Sequence, residues 1–204
     1  MKRKLFLFGL CFLIIALALT AQTVSPQRKA RVVQHRQTAV SPQVCEINGS
    51  AEFCTHLPIL KLNTGTQAIP GEDHSHDRIL AELTVWDGSQ GNRLSDEPAF
   101  TTPAAIRYRG NSSLHFDKKS YSLVTLNDEG EKKKQSLLGM AADEEWVLNG
   151  PFLDKTLMRN YIAMNVAGQI MDYAPNVRYC ELFVDDQFRK GVFRADFRQK
   201  EAEQ

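Results

Sequence analysis

The sequence has almost no net charge, few cysteines and only one long apolar run. Lys and Arg total 25 and Asp and Glu total 24 in 204 residues, so the formal net charge is +1. The basic footprint of a nucleic-acid-binding protein is missing, and we predict no nucleic-acid partner. No second long apolar run follows the first one at the N-terminus. We therefore expect the body of the chain to be soluble.

The single apolar run has the architecture of an export signal. Basic residues 2–4 precede apolar residues 5–21, and the small residue Ala21 comes directly before Gln22. This order is typical of a signal peptide. The run is short for a membrane-spanning helix, which needs about 20 residues, so cleavage is favoured over an uncleaved anchor. Cleavage leaves 183 residues, enough for one exported domain, and only an uncleaved segment would contact a membrane.

Three of the four cysteines lie beyond the signal segment. Export permits a disulfide, and the favoured pair is Cys45 with Cys54, which would close a small loop; two reduced thiols are the alternative. Cys180 lies in an apolar, strand-like run and is expected to be buried. Residues 22–44 are rich in Gln, Ser, Pro, Arg and Lys. We therefore interpret 22–56 as a basic linker with a possible Cys45–Cys54 loop.

The rest of the chain alternates between strand-like and helical patterns. Asp154 is a candidate cap for a helix from about Lys155 to Met171, whose wide apolar stripe predicts that much of the helix is buried. Charged residues 131–134 are interpreted as an exposed tip. The pattern predicts an α+β fold of antiparallel strands plus one long helix. The predicted strands cover residues 57–62, 79–87, 104–109, 121–126, 177–185 and 188–193.

Several short motifs follow one another in a recognisable order. They are Ile-Arg-Tyr-Arg-Gly-Asn-Ser-Ser at 106–113, Lys-Lys-Ser-Tyr-Ser-Leu at 118–123, and the stretch 146–161 that begins Trp-Val-Leu-Asn-Gly-Pro. Together with 181–184 and 191–193, they resemble the spore coat protein H (CotH) kinase family of secreted atypical protein kinases. The resemblance runs from about 57 to 193 and is followed by a divergent tail, 194–204. It implies the N-lobe-like part of a kinase-like fold, here incomplete.

The first two motifs offer a place for the phosphates of a nucleotide. Phosphates need closely approaching backbone N–H groups and a fixed positive charge. Gly110, Asn111, Ser112 and Ser113 lie between two predicted strands and are candidates for the first requirement. Lys119 is the candidate for the second. The alternatives are an ordinary hairpin turn and a solvated lysine at a strand start.

The lysine assignment depends on the register of the strand. Lys119 shares a strand face with Tyr121 and Leu123, whereas Lys118 would point away. A shift of one residue would exchange the two lysines. Lys119 is the residue that we expect to contact phosphate.

The family resemblance carries wider expectations about activity. The intact family uses ATP and a divalent metal to phosphorylate serine residues of secreted and spore coat proteins, which suggests a bacterial source. Phosphoryl transfer also needs acidic residues that orient the hydroxyl and hold the metal. These follow the closing hairpin in the family, whereas this chain diverges after Phe193. We therefore expect an inactive truncated fragment with weak ATP binding or none, and with no catalytic or metal-binding residue of its own. The alternative is a non-enzymatic envelope or spore coat protein.

One further segment gathers metal-capable side chains. Residues 73–77 read Asp-His-Ser-His-Asp. The two histidines could face one side of an extended segment, but no further ligand set is evident. A solvated loop is favoured over a metal site.

Overall fold

The computed structural model describes residues 52–89, 91–171 and 173–189, and the backbone of Phe193–Phe197. The predicted signal peptide, the tether and Cys45 lie outside the described residues. Cys54 is disulfide-bonded, while its pairing with Cys45 stays a prediction. Cys180 is fully buried, which confirms the expected burial. Among the described residues, no helix is long and apolar enough to cross a membrane.

The dominant feature is a curled, mainly antiparallel sheet of eight strands. The sheet strands are β2 (Ile59–Asn63), β3 (Ile79–Trp86), β5 (Phe100–Arg109), β6 (Ser120–Thr125), β7 (Glu145–Asn149), β8 (Val177–Val184), β9 (Gln187–Phe188) and β10 (Phe193–Phe197). Two further strands, β1 (Cys54–Thr55) and β4 (Asn92–Arg93), pair with each other. The order in the sheet is β10-β7-β6-β5-β3-β2-β8-β9, and β10 also pairs with β8. The seven strands from β10 to β8 therefore close into a ring, called the barrel below.

Period-two alternation of apolar residues explains these strands. In β5, Ala104 and Ile106 are fully buried in the main core cluster, whereas Arg107 between Ile106 and Tyr108 is only partly buried. Alternate side chains of a strand lie on opposite faces, so one set fills the barrel and the other faces outward. Leu123 of β6 belongs to the same inner cluster. Burying each large aliphatic side chain of this kind stabilises the fold by roughly 1.5–3 kcal/mol.

The first four predicted strands are present with shifted ends, and the strand at 177–185 is present as β8. β7 was not predicted, because its central residues Trp146, Val147 and Leu148 form a continuous apolar run without alternation. All three are buried, and β7 pairs with β6 so that Leu123 lies opposite Trp146. A strand buried on both faces accounts for the missing alternation. The described part of the chain thus has the mixed α+β fold that the sequence predicts.

The last described strand includes part of the predicted tail. The expected strand 188–193 is replaced by two pieces, β9 and β10, which both pair with β8. β10 places Phe193 opposite Cys180 and Arg194 opposite Asn149, so it bridges β8 and β7. Residues 194–197 are therefore strand residues that close the barrel.

The helix is shorter than predicted. Helix α1 is Arg159–Ile170, and its N-cap position is Met158 instead of Asp154. Asp154 still stabilises the helix start, because its Oδ2 accepts a hydrogen bond from the Arg159 backbone N–H at 2.9 Å. The hydrogen bond that Thr156 Oγ1 donates to Asp154 Oδ1 at 2.6 Å lowers the pKa of this carboxyl. The predicted cap is therefore wrong: the helix begins four residues later than expected, and Asp154 bonds its first residue from outside the N-cap position.

The prediction that much of this helix is buried is wrong. Tyr161 and Asn165 are the buried residues that α1 contributes, whereas Ile162 is 52% and Ile170 73% exposed. Tyr161 stacks on Tyr179 of β8 with ring centroids 4.8 Å apart. The helix contacts the barrel along a narrow strip of its surface. Most side chains of its apolar stripe are therefore exposed. The exposed residues Met158, Ile162, Val166 and Ile170 are called the apolar helix face below.

Candidate functional site

The turn between β5 and β6 contains the four residues predicted to approach phosphate. Gly110 has a φ of +129°, and a Cβ there would lie 1.8 Å from Ser113 Oγ. Only glycine adopts this conformation without strain. A 3-10 turn, Ser112–His115, follows at once, and the Leu114 backbone N–H donates to the Asn111 carbonyl oxygen at 3.1 Å. The segment thus begins the connection between β5 and β6, with a glycine at its entrance and a 3-10 turn after it.

Lys119 lies against this turn. Its Nζ donates to the Leu114 carbonyl oxygen at 2.8 Å and forms an ion pair with Glu72 Oε1 at 3.0 Å. The same Nζ lies 5.5 Å from the centroid of the Tyr108 ring. Tyr108 packs against the inner core cluster and pairs with Tyr121 across the sheet. Lys119 therefore lies on the inner side, at the end of the barrel, and is held beside the turn.

The loop formed by residues 70–77 packs against the end of β5. The Tyr108 backbone N–H donates to the Pro70 carbonyl oxygen at 2.8 Å. A Cβ on Gly71 would lie 2.6 Å from the Tyr108 carbonyl oxygen, so this close approach requires glycine. Farther along the loop, the Ser75 carbonyl oxygen accepts a hydrogen bond from Arg107 Nη1 at 3.4 Å. These contacts fix the loop at the same end of the barrel as the turn.

The outer face of the barrel carries a cavity of about 450 Å³. Arg107 and Arg109 alternate along β5 with the inward Tyr108, so both project outward into this cavity. We call it the arginine cavity. Its charged and polar side chains are Arg78, Arg107, Arg109, Glu145, Ser122, His74 and His76, and Gly110 lines one end.

Hydrogen bonds hold two of the arginines in place. Arg78 Nη1 donates to the backbone oxygen and the Oγ of Ser122 at 3.3 and 3.1 Å. Burial lowers the pKa of Arg78, and the neighbouring positive charge of Arg107 lowers it further. Arg107 Nη1 also donates to the Tyr108 carbonyl oxygen at 3.1 Å. Arg107 Nε is buried and has no hydrogen-bond partner among the residues that the structure describes. The cavity therefore brings positive charges together, and the buried Arg107 Nε–H donor could still bond an acceptor.

The acidic side chain of the cavity is already engaged. Glu145 Oε1 accepts a hydrogen bond from Lys132 Nζ at 2.6 Å, and this contact raises the pKa of Lys132. His74 and His76 are both exposed at the edge of the cavity. Within the described ranges, no group of three or more His, Cys, Asp or Glu residues could hold a metal ion.

The turn and Lys119 were predicted from the sequence, whereas the arginine cavity was not. Arg107 and Arg109 were treated only as parts of a motif, although their spacing of two indicates one strand face. Arg78 directly precedes a different strand, β3, and no local pattern links it to them. Glu72 was also missed, because the contact that joins it to Lys119 depends on how the loop folds back.

Residues 106–195 match the family model for CotH kinase protein. This stretch is therefore similar to the CotH kinase family, and it is called the CotH kinase region below for that similarity. It includes the turn, Lys119, Arg107 and Arg109, and it extends into β10. Arg78 and the loop that holds Glu72 and the two histidines precede it. No curated protein matches the chain.

Proposed function

We propose that this chain is an exported protein of the CotH kinase family that binds the phosphates of ATP weakly between the 110–113 turn and Lys119. In this proposal the barrel and α1 correspond to the N-lobe of a kinase-like fold. The observation that carries the proposal is the 2.8 Å contact between Lys119 Nζ and the Leu114 carbonyl oxygen. It places a fixed positive charge beside the glycine-led turn within the CotH kinase region.

The ion pair between Lys119 and Glu72 supports this proposal. Protein kinases hold their phosphate-binding lysine with a glutamate, and the pair keeps the amine oriented toward the nucleotide. Here the carboxylate comes from the loop, 3.0 Å from Lys119 Nζ. The Lys119 side chain is 22% exposed, so its charge is partly shielded from water and still accessible. A nucleotide phosphate would approach this amine from the exposed side.

We further propose that the chain by itself does not transfer phosphate. Transfer needs one acid that orients the acceptor hydroxyl and another that holds the metal. Glu72 beside the turn and Glu145 in the arginine cavity are each ion-paired with a lysine. The lysine beside each carboxylate carries a positive charge, which disfavours a metal cation at the same place. Secreted or spore coat proteins are the proposed partners, as the family name suggests.

Titration of the full chain with ATP tests the nucleotide site. We expect weak binding that falls as salt is added, because the lysine contact is partly solvated. Lys119→Ala should weaken it about tenfold, since a hydrogen bond to a charged group is lost. Lys134→Ala is the matched control, because Lys134 is exposed on the tip that follows β6. Phosphate transfer to a serine acceptor that Lys119→Ala abolishes would contradict the inactive assignment.

A second candidate function is supported by the apolar helix face. Its four apolar side chains, Met158 at the N-cap position and three in α1, follow one another at helical spacing and are about half exposed or more. Exposed apolar patches of this kind mark protein contacts. This observation favours the non-enzymatic alternative, in which the chain binds another envelope or coat component. Ile162→Glu should abolish capture of a partner from coat extracts, whereas Ala163→Glu, at an exposed neighbouring position, should not. Equal capture by both variants would exclude a role for this face.

A further inference from the structure

The arginine cavity and the turn-and-lysine site lie on opposite faces of the same strands. Lys119 contacts the ring of Tyr108, which packs against the inner core cluster. Arg107 and Arg109, on either side of Tyr108, line the outer cavity. Because neighbouring side chains of a strand point to opposite faces, one small ligand cannot contact Lys119 and both arginines through the sheet.

The charges that line the cavity favour a multiply charged anion. Three guanidinium groups face one carboxylate, which leaves a net charge of +2 with the histidines neutral. The single carboxylate, Glu145, is also paired with Lys132. Like charges gathered in one cavity destabilise a fold unless a counter-charge binds there. A bound dianion would supply that counter-charge.

The donor geometry points to phosphate. A guanidinium group has five N–H donors in a planar fork, which matches the oxygens of phosphate or carboxylate. Arg78 uses one nitrogen on Ser122, and Arg107 uses Nη1 on backbone oxygens, so both keep further donors. The buried Arg107 Nε has no hydrogen-bond partner in the described part of the chain. A phosphate group carries roughly two negative charges at neutral pH and three acceptor oxygens, which matches this set better than a carboxylate does.

We propose that the arginine cavity is a separate binding site for a phosphate monoester, with Arg78, Arg107 and Arg109 holding the phosphate. A volume of about 450 Å³ is larger than a phosphate group alone and leaves room for the esterified part. His74 and His76 border this space and contact the ester side. The proposal does not depend on the nucleotide site, because none of the three arginines contributes to it.

Phosphorus NMR on the full chain, with inorganic phosphate and with O-phosphoserine, tests this site. We expect O-phosphoserine to bind more tightly than inorganic phosphate. Arg107→Gln should weaken both about tenfold or more, because a charge-assisted hydrogen bond is lost. Arg107→Lys keeps the charge but loses the fork, so it should restore part of the affinity. Lys119→Ala should leave O-phosphoserine binding unchanged while it weakens ATP.

A second pair of variants tests the cavity without changing an arginine. A folding defect in the arginine variants therefore cannot account for its result. His76→Glu adds a carboxylate at the exposed edge of the cavity and should abolish O-phosphoserine binding by repulsion. His56→Glu is the matched control, because His56 is exposed and does not line the cavity. The proposal is overturned if Arg107→Gln and His76→Glu both bind O-phosphoserine like the unmodified chain. It is equally overturned if Lys119→Ala removes O-phosphoserine binding, since that result would show one shared site.

Discussion

The two faces of the β5–β6 pair differ in what their side chains do. On the inner face, Ile106 and Leu123 lie opposite each other and are fully buried. On the outer face, Arg107 and Ser122 also lie opposite each other, and both line a cavity. The inner residues stabilise the fold through burial, whereas the outer residues gather positive charge at a cost to stability. The inner face is therefore determined by packing, whereas the outer face carries the charges of the proposed phosphate site.

The largest expected effect comes from truncating the inner face. Leu123→Ala should lower the free energy of unfolding by about 2–5 kcal/mol, because it leaves a cavity in a packed core. Ser122→Ala, at the neighbouring outward position, should cost only about 0.5–1.5 kcal/mol, since one hydrogen bond from Arg78 is lost. Denaturant unfolding of both variants measures the difference. Equal losses would show that the two faces contribute alike to stability.

Gly110 begins the 110–113 turn and also lines the arginine cavity. Its substitution should therefore disturb both the nucleotide site and the arginine cavity. Gly110→Ala requires an unfavourable φ and a contact with Ser113 Oγ, and should cost more than about 1 kcal/mol. Both ATP and O-phosphoserine binding should weaken. Gly130 also has a positive φ, but no atom lies near its Cβ position. Gly130→Ala therefore measures the stability cost of the backbone conformation without a steric contact. Adding Ser113→Ala to Gly110→Ala should recover part of the lost stability; no recovery would mean that the Ser113 contact is unimportant.

The smallest effect is expected at the ion pair beside the arginine cavity. Lys132→Met should lower the free energy of unfolding by less than about 1 kcal/mol, because the Lys132 side chain is 46% exposed and the pair is screened by water. The pKa of Lys132 is raised in the fold from 10.5. Its contribution is therefore fully present below pH 10.5 and lost as the pH rises through the raised pKa.

This pH dependence can be measured directly. The unfolding free energies of Lys132→Met and the unmodified chain should differ at neutral pH and converge at high pH. The same variant removes the lysine partner of Glu145, so more of the negative charge of Glu145 acts on a bound phosphate, and O-phosphoserine should bind more weakly. A difference in stability that grows with pH would contradict the assigned ion pair.

Local patterns predicted the elements that show a regular period. β3, β5 and β6 have alternating apolar residues, and each was found within a few residues of its observed ends. β7 was missed because Trp146, Val147 and Leu148 are all apolar and give no period. The burial of α1 was overestimated, because an apolar stripe shows only which side of a helix can be buried. How much of it is covered depends on the neighbouring strands.

Among the residues of the candidate sites, too, only those in local sequence motifs were predicted. Gly110 and Lys119 were predicted as site residues from motifs that lie close together in the sequence. Arg78 and Glu72 were not, because each reaches its partner from an earlier segment that folds back on β5 or its turn. A single sequence contains no signal for contacts of that kind.

The sequence by itself determined the alternating strands, the glycine at the start of the turn and the order of motifs that resembles the CotH kinase family. These features depend on residues that are near neighbours in the chain, so backbone sterics and side-chain period are enough to specify them. Only the tertiary structure decided that the sheet closes through β10 and that the apolar helix face stays exposed. It also decided that Arg78 joins Arg107 and Arg109 in one cavity. These features depend on contacts between distant segments, and their free energy becomes available only when the barrel has closed.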